Sequence, residues 1–474
     1  MNKYNKLVNN SIIFAIGTLG SKLILVILIP LYTFYLSSQD YGVVDLMTST
    51  MSLLMPFITL TLEQALIRYI IKSKDNTEIN SYFSSAFIIC LITLFLLLLV
   101  CLCISFLKIY NSKLMFYFYL MIFFSVSQTL FSTYLRAIGF TKKFAFCGVF
   151  QVVVLCSSNI FLLVFLSMGI DGYIISIIVS SFAASVLAFI FAREKLCISF
   201  KFVNALNIKT LLLFSIPLIP NVSMWWLVNN STRYVVLIFI GLSANGLFAV
   251  ASKLPTLINM FVSVFQQAWQ ISAFEEFDSS DRSKYYSDVF RFYYQFLFLI
   301  ASFLLLFNKI VFSYLVSDAF SQAWVAVPWL VLGVLYQTFS SFLGTIYTAN
   351  LKTKSVFTTS FIGAFIAIAT NFLVIPFFGL SAAGVGATLG FFAMWFLRLI
   401  DTRKISYTTL NYWEFILFNV LYISQVSFQF ILADKSIVVN CTVQMFFMIL
   451  VLFLSRDFIF DSFRFVISKV RKDK

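Results

Sequence analysis

Uncharged apolar runs recur along almost the whole sequence, each about 20 residues long or longer, which is the length that crosses the hydrocarbon of a bilayer as an α-helix. Helices are the expected structure of such runs, because an open sheet or a lipid-exposed loop would leave backbone groups unpaired in lipid. The composition agrees: 61% of the residues are apolar and 11% are charged, whereas a soluble domain carries roughly a quarter charged residues. The sequence therefore predicts an all-α polytopic membrane protein.

Charges, glycine and asparagine turns and polar clusters divide these runs into about 14 predicted transmembrane helices. They are placed at residues 10–36, 42–70, 82–107, 114–136, 144–168, 172–192, 210–240, 246–272, 289–307, 322–348, 356–378, 381–400, 413–432 and 437–455.

The distribution of lysine and arginine supplies an independent test of this count. With the N-terminus in the cytoplasm, 26 of the 33 basic residues fall in cytoplasmic tails and loops or at the helix ends beside them. Only Lys108, Lys113, Lys309 and Lys435 fall in outer loops. A missed or invented helix would reverse this alternation from that point onward. The bias predicts an even number of spans with both termini in the cytoplasm.

The same composition argues against several classes of function. The sequence contains no histidine, which excludes histidine-based acid–base catalysis, imidazole metal sites and a Ser-His-Asp triad. Six of the seven cysteines lie in apolar runs and are interpreted as small core residues. The net charge of +14 is explained by loops that set topology, and no base-reading motif accompanies it. We therefore predict neither an enzyme nor a nucleic-acid-binding protein, and no metal site or cofactor.

Short motifs recur in the same order in the two halves of the chain. A polar corner closed by glycine at 35–43 recurs at 239–247, and the stretch 127–132 has a counterpart at 336–341. A third pair joins Asn159 and Asn371, each of which precedes a glycine corner. Both copies begin on the cytoplasmic side, so the pattern predicts a parallel repeat of six plus six helices, an architecture of transporters in which substrate binds between the halves.

The repeat predicts four regions of the chain. They are an N-terminal six-helix lobe at 1–200, a C-terminal six-helix lobe at 201–405, helices 13 and 14 at 406–455, and a basic cytoplasmic tail at 456–474.

Several stretches of the sequence carry a family resemblance through their order. They are Ile-Pro-Leu-Tyr at 29–32, Leu-Ser-Ser-Gln-Asp-Tyr-Gly at 36–42, Leu-Glu-Gln-Ala-Leu-Ile-Arg-Tyr at 62–69, Phe-Ser-Ile-Pro-Leu-Ile-Pro at 214–220, Asn-Phe-Leu-Val-Ile-Pro at 371–376 and the glycine- and alanine-rich stretch at 379–387. In this order they resemble the bacterial oligosaccharide flippases, the Wzx-type members of the multidrug/oligosaccharidyl-lipid/polysaccharide exporter superfamily. The resemblance extends from residue 1 to about 455 and includes no catalytic signature.

The resemblance implies a fold, a substrate and a location. The fold would be MATE-like, with two six-helix lobes around a central cavity and two further C-terminal helices. The substrate would be an undecaprenyl-pyrophosphate-linked oligosaccharide repeat unit of the O-antigen or capsule type, moved across the bacterial inner membrane by alternating access. The implied partners are this lipid-linked glycan, the bilayer, and a polymerase or other glycan assembly proteins.

Three basic residues lie well inside predicted spans, where each ionisable group costs roughly 2.5 to 3.5 kcal/mol on insertion scales. They are Lys22 in the first span, Arg233 in the seventh and Lys253 in the eighth. Arg233 is eight residues before the outer corner at 241–246 and Lys253 is seven residues after it, which puts them at a similar depth. Few acids lie at that depth, so we predict a cationic cavity that holds the pyrophosphate or acidic sugars of the substrate.

Five further residues are candidates for secondary roles. Asp45, Glu63 and Arg68 are assigned to coupling or gating, with a proton or sodium ion as the coupling ion. The alternatives are that Asp45 neutralises Lys22 and that Glu63 and Arg68 form a network at the inner face. Trp225 and Trp226 lie mid-span, too deep for an interfacial belt, and either stack on sugar rings or belong to the packed core.

Three other functions compete with this interpretation. A lipid II flippase also moves an anionic pyrophosphate lipid, and the sequence separates the two poorly. A cation-coupled multidrug antiporter of the same superfamily should carry acids in its cavity, against the basic residues seen here. A membrane glycan polymerase needs an outer catalytic loop, but the longest outer segment predicted is about 308–321, which is too short for an active site.

Overall fold

A computed structural model describes residues 28–73, 75–276, 279–350, 353–404 and 409–456. All regular structure within these ranges is helical, so the predicted all-α fold is confirmed. Thirteen of the described helical segments are long and apolar enough to cross a membrane. The described residues up to Asn230 form one compact unit, and those from Ser231 onward form another. The lobe boundaries inferred from the sequence repeat stay a prediction.

The first unit contains eight helices and the start of a ninth. These are α1 (28–35), α2 (Ser38–Ile58), α3 (Leu62–Lys72), α4 (Asn76–Phe106), α5 (Ser112–Ala137), α6 (Thr141–Asn159, followed by a π-helical turn, Ile160–Phe165), α7 (Gly169–Ala192), α8 (Ala205–Ser215) and the first half of α9 (Ile219–Phe239). A short 3₁₀ turn, Ile216–Leu218, joins α8 to α9, so that the two helices form one candidate span.

The second unit contains the end of α9 and eight further helices. These are α10 (Leu242–Ala251), α11 (Lys253–Glu275), α12 (Arg282–Tyr314), α13 (Val327–Ala349), α14 (Thr353–Phe378), α15 (Val385–Thr402), α16 (Tyr412–Ile431) and α17 (Ile437–Leu454). Most predicted span boundaries lie within a few residues of these helices. Residues 10–27 of the first predicted span lie outside the described residues.

The second predicted span, 42–70, is not one continuous helix. The chain leaves the helix after Ile58, and both Leu60 and Thr61 take left-handed backbone conformations, with φ of 49° and 51°. The Thr61 N–H donates to the Thr59 hydroxyl at 3.3 Å instead of to a helical carbonyl. Hydroxyl groups that bond the local backbone compete with helical hydrogen bonds, and Thr59 and Thr61 place two such groups at the break.

Lys309 was predicted to lie in an outer loop, and this prediction is wrong. The residue lies inside α12 with a relative exposure of 7%. Its ammonium group donates to the carbonyls of Leu432 at 3.1 Å and Ala433 at 2.5 Å, at the end of α16. A cation is favourable at a helix C-terminus, where the last carbonyls lack helical partners. The predicted outer segment 308–321 is shortened accordingly, because α12 continues to Tyr314.

A buried asparagine occupies a corresponding place in each unit. In the first unit, Asn159 of α6 donates to the Tyr32 hydroxyl at 3.0 Å and accepts from the Ser176 hydroxyl at 2.8 Å. In the second unit, Asn371 of α14 donates to the Thr232 hydroxyl at 3.0 Å. Both asparagines have a relative exposure of 0%. Each one therefore ties the fifth helix of a predicted six-helix repeat to the first, which is what the sequence correspondence between them predicts.

Glycines allow α14 and α15 to approach closely. A Cβ atom added at Gly390 would lie 2.6 Å from the carbonyl oxygen of Gly363, and one added at Gly363 would lie 2.9 Å from the carbonyl oxygen of Gly390. Gly386 precedes Gly390 by one helical turn and would clash similarly, at 2.5 Å from the carbonyl oxygen of Ala367. Small residues at such spacing bring membrane helices into van der Waals contact.

Replacement of Gly390 with alanine is expected to destabilise the protein by about 1–3 kcal/mol, the usual penalty for overpacking. Gly148 of α6 is a matched control, because a Cβ atom there meets nothing within 4 Å. G148A should be neutral or stabilising, since alanine is favoured over glycine within a helix. Thermal unfolding of the purified full-length variants in detergent measures both, and an unchanged midpoint for G390A would contradict the expectation.

Candidate functional site

The polar face of α2 carries Asp45, Ser49 and Ser52, which are spaced by four and three residues and therefore lie on one side of the helix. Trp226 of α9 is bound to this face. Its indole N–H donates to the carbonyl of Ser49 at 3.1 Å and to the hydroxyl of Ser52 at 2.9 Å. The structure thus joins Trp226 to the helix face that carries Asp45, two predicted site residues far apart in sequence.

Trp225 is the neighbouring residue on α9, and it is half-buried like Trp226. Its carbonyl accepts a hydrogen bond from the Asn229 amide at 2.8 Å. Adjacent helical residues point in different directions, so the two indole rings lie in different surroundings. The indole N–H anchors Trp226 to α2. Stacking on sugar rings and membership of the packed core both stay predictions for the two tryptophans.

Arg233 lies in α9, six residues before the helix ends at Phe239. Its guanidinium carbon lies 5.5 Å from the centroid of the Phe248 ring of α10, a cation–π distance. Lys253 follows the break at Ser252 between α10 and α11 and is half-buried. Arg233 lies in the candidate membrane span Ala205–Phe239, and Lys253 lies in the candidate span Leu242–Gln270.

Glu63 and Arg68 lie on the short helix α3 and have different surroundings. The Glu63 side chain is partly buried, and its Oε2 atom is buried without a hydrogen-bond partner. Arg68 is exposed and stacks on Phe214, with 4.6 Å between the guanidinium carbon and the ring centroid. Among the described residues, no ion pair joins Glu63 to Arg68.

The predicted cationic cluster stays a prediction. Lys22 lies outside the described residues. The first unit joins Trp226 to the Asp45 face of α2, and the second unit contains Arg233 and Lys253.

Arg398 was assigned from the sequence to the basic residues that set topology, but its side chain has a relative exposure of 1%. It lies on α15 and donates to the Thr359 hydroxyl at 3.0 Å, the Ser340 carbonyl at 2.9 Å and the Ser360 hydroxyl at 3.1 Å. These partners belong to α13 and α14. The burial of Arg398 could have been suspected from the apolar residues on both sides of it, Phe396-Leu397 and Leu399-Ile400.

Buried amides join α16 to α12 and α17 to α16. The Ser302 hydroxyl donates to the Gln425 side chain at 2.9 Å, and the Gln429 side chain donates to the Leu305 carbonyl at 3.1 Å. The Gln444 side chain of α17 donates to the carbonyl of Gln425 at 3.1 Å. Interhelical hydrogen bonds of this kind hold membrane helices together where apolar packing alone has little preference over lipid.

Comparison with solved structures identifies the class of fold. "Lipid II flippase MurJ, inward closed conformation" superposes with a TM-score of 0.71 at 12% identity, covering 94% of this chain and all of that one. An inward-facing multidrug resistance MATE family transporter of the MOP superfamily superposes with a TM-score of 0.69 at 12% identity, covering 81% of this chain and 94% of that one. A MOP superfamily transporter from Pyrococcus furiosus, with a TM-score of 0.58 and 12% identity, covers 85% of this chain and 96% of that one. The protein is therefore a helical membrane protein with the fold shared by MATE transporters and MurJ.

Comparison with family models identifies the family within this class. The chain belongs to the polysaccharide biosynthesis protein family, whose model matches residues 7–270. The resemblance inferred from sequence motifs is thereby confirmed. Comparison with curated protein sequences gives no match.

Proposed function

We propose that the protein is a flippase that moves an undecaprenyl-pyrophosphate-linked oligosaccharide across the bacterial inner membrane, from the cytoplasmic to the outer leaflet. The glycan would be a repeat unit of the O-antigen or capsule type, later joined by a polymerase. Membership of the polysaccharide biosynthesis protein family supports a role in glycan assembly. The shared fold with a lipid II flippase supports transport of a lipid-linked saccharide, in place of catalysis.

The observation that carries the proposal is the position of Arg233 within a membrane-spanning helix. It lies two turns from the end of α9, in the candidate span Ala205–Phe239. An arginine at such a depth is costly and is typical of a substrate pathway. Lys253, in the next span, adds a second cation. Both charges suit an anionic lipid and disfavour a cationic drug.

Arg233 and Lys253 would bind the pyrophosphate in different ways. The planar guanidinium of Arg233 binds phosphate oxygens through two parallel hydrogen bonds, whereas the ammonium of Lys253 acts as a compact point charge. Lys22 would add a third charge. Trp225 supplies an aromatic surface for sugar rings, and alternating access would expose the bound substrate to each leaflet in turn.

Transport of a charged substrate against a gradient needs an energy source, and we propose coupling to a proton or sodium ion. Asp45 is the candidate on the first unit, because it lies on the α2 face that also binds Trp226. A change in charge at Asp45 would therefore act on a helix face that is hydrogen-bonded to α9. We place both termini in the cytoplasm, as the distribution of basic residues indicates.

Reconstitution into liposomes tests the substrate class. The full-length protein would be inserted into vesicles that contain a polyprenyl-pyrophosphate oligosaccharide with a fluorescent, dithionite-sensitive label on the sugar. Dithionite added outside bleaches only the outer leaflet, so an active flippase lets it bleach almost all of the label. Parallel vesicles contain labelled lipid II or an organic cation.

The proposal predicts fast bleaching of the oligosaccharide lipid and no transport of the cation. Transport of lipid II alone would assign the protein to the lipid II flippases, and transport of the cation alone would assign it to the multidrug antiporters. Polymerised product in these vesicles would identify an enzyme. Each of these three results would overturn the proposal.

A further inference from the structure

Two lysines converge on one aromatic ring where α6 begins and the chain leaves α7. The Nζ atom of Lys143, in the first turn of α6, lies 4.5 Å from the centroid of the Phe140 ring. The Nζ atom of Lys195, in the turn after α7, lies 4.9 Å from the same centroid. Lys143 also lies 5.4 Å from the ring centroid of Phe191, near the end of α7. These are cation–π distances, and we call the four residues the two-lysine cluster.

The two ammonium groups of the cluster lack an anionic partner. Each ammonium has three N–H donors, yet in the described ranges neither Nζ atom donates to a protein acceptor or forms an ion pair. Glu194 directly precedes Lys195, but it is exposed and pairs with neither lysine in that part of the chain. Two like charges beside one ring repel each other, and an anion bound between them would remove the repulsion.

The corresponding place in the second half of the chain is arranged differently. Lys404 follows α15 as Lys195 follows α7, and its Nζ atom lies 3.9 Å from a carboxylate oxygen of Asp401. Lys113 of α5 likewise pairs with Asp171 at 2.6 Å. An acidic side chain thus neutralises these lysines from within the protein, whereas the two-lysine cluster leaves that role to a ligand.

An aromatic surface continues from the cluster along α6. The ring centroid of Phe146 lies 6.2 Å from that of Phe191 and 6.5 Å from that of Phe150, on which it stacks. Phe146 has a relative exposure of 54%, and Val149 has one of 43%. Both belong to the candidate span Thr141–Phe165, and exposed apolar side chains in such a span contact lipid tails. The charged cluster therefore adjoins a surface suited to an acyl chain.

The combination of charge and apolar surface selects the ligand. Two ammonium groups require an anion, and the adjoining aromatic surface suits an anion that carries a hydrocarbon chain. The predicted topology places this end of α6 and α7 at the cytoplasmic leaflet, where anionic lipids attract basic residues. We propose that the two-lysine cluster binds the phosphate headgroup of an anionic glycerophospholipid such as phosphatidylglycerol, with an acyl chain along Phe146 and Phe150.

A lipid bound there would connect two helices. Its phosphate would accept hydrogen bonds from Lys143 of α6 and from Lys195 after α7, and charge-assisted bonds of this kind are the stronger ones. The lipid would hold the two helix ends together as a fixed component of the bilayer. The site does not depend on the identity of the transported substrate, so the proposed transport function and this site fail or stand independently.

Lipid binding to the purified full-length protein in detergent tests the site. Native mass spectrometry would measure the affinity for phosphatidylglycerol and for phosphatidylcholine with the same acyl chains. We expect phosphatidylglycerol to bind more tightly. Lys143→Ala/Lys195→Ala should weaken its binding by about ten-fold or more, because two charge-assisted hydrogen bonds are lost. The affinity for phosphatidylcholine should change little.

Two further variants make the test specific. Lys142→Ala/Arg193→Ala removes the same net charge from the same two helix ends, and both of these residues are exposed. This matched control should bind phosphatidylglycerol almost as the wild type does. Phe140→Leu keeps an apolar side chain but removes the ring that both ammonium groups contact. It should weaken binding less than the double lysine variant.

Three results would overturn the proposal. One is equal affinity for phosphatidylglycerol and phosphatidylcholine. Another is an equal loss of binding in the two double variants, which would mean that only diffuse surface charge acts. The third is binding of inorganic phosphate or polyprenyl pyrophosphate that needs the two lysines while phosphatidylglycerol binding does not. Thermal unfolding without added lipid shows whether each variant is folded, and if the double lysine variant is not, Lys143→Ala and Lys195→Ala decide singly.

Discussion

Replacing Arg398 with alanine is expected to lower the free energy of unfolding by about 3–5 kcal/mol, the range observed when a large buried side chain is removed or a buried charge network is broken. The guanidinium connects α15 with hydroxyl and carbonyl groups of α13 and α14. It also fills space that a small residue leaves empty, because Gly344 approaches it so closely that an added Cβ atom would lie 2.8 Å from Nη1.

Two variants separate hydrogen bonding from packing at this position. Arg398→Met keeps much of the volume and should restore part of the lost stability, so the remaining deficit measures the hydrogen bonds. Lys404→Ala is the control for loss of a basic residue, since the Lys404 side chain is 76% exposed. The readout is thermal or denaturant-induced unfolding in detergent. If Arg398→Ala unfolds with the wild-type midpoint, Arg398 does not stabilise the second unit.

Replacement of Arg233 with alanine is expected to reduce transport of the pyrophosphate-linked oligosaccharide by about ten-fold or more. A charged hydrogen bond contributes about 1.5–3 kcal/mol, and 1.4 kcal/mol corresponds to a factor of ten. Fold stability should change much less, because Arg233 is only half-buried. The measurement is the dithionite assay with equal amounts of inserted protein, together with surface glycan in cells.

The substitution series at this position distinguishes charge from geometry. Arg233→Lys keeps the charge but loses bidentate binding, so it should fall between the wild type and Arg233→Ala. Arg193→Ala removes an exposed arginine at the end of α7 and should transport normally. Undiminished transport by Arg233→Ala at equal protein level would remove Arg233 from the substrate site while leaving the family assignment untouched.

Much of the fold was predictable because lipid imposes simple rules on sequence. A membrane-spanning segment has to be apolar and helical, and its length is set by the thickness of the hydrocarbon. The predicted spans therefore agree with α4, α5, α16 and α17 to within a few residues at most ends. The correspondence between Asn159 and Asn371 was also visible in the sequence. An asparagine in an apolar helix stands out, and it recurs in the same order in each half.

The sequence indicated which residues belong to the candidate site, but not which of them contact each other. Depth along a helix identified Arg233 and Lys253 as unusual, but nothing in the sequence indicated that Trp226 binds the α2 face that carries Asp45. Trp226 and Ser49 are 177 residues apart, and their contact depends on how the two helices are rotated about their axes. Periodicity is a weak guide to rotation when helices are apolar on nearly every side.

Only the tertiary structure decided three features: the helix break at residues 59–61, the burial of Lys309 and the burial of Arg398. Hydropathy and charge bias report how a segment partitions between water and lipid, so they established the helical membrane class and the order of the spans, while the order of short motifs indicated the family. They do not indicate which groups a side chain will contact in the folded protein. Whether a hydroxyl breaks its own helix, or a cation lies in a loop or caps a neighbouring helix, depends on groups brought close by packing, and those groups are distant in the chain.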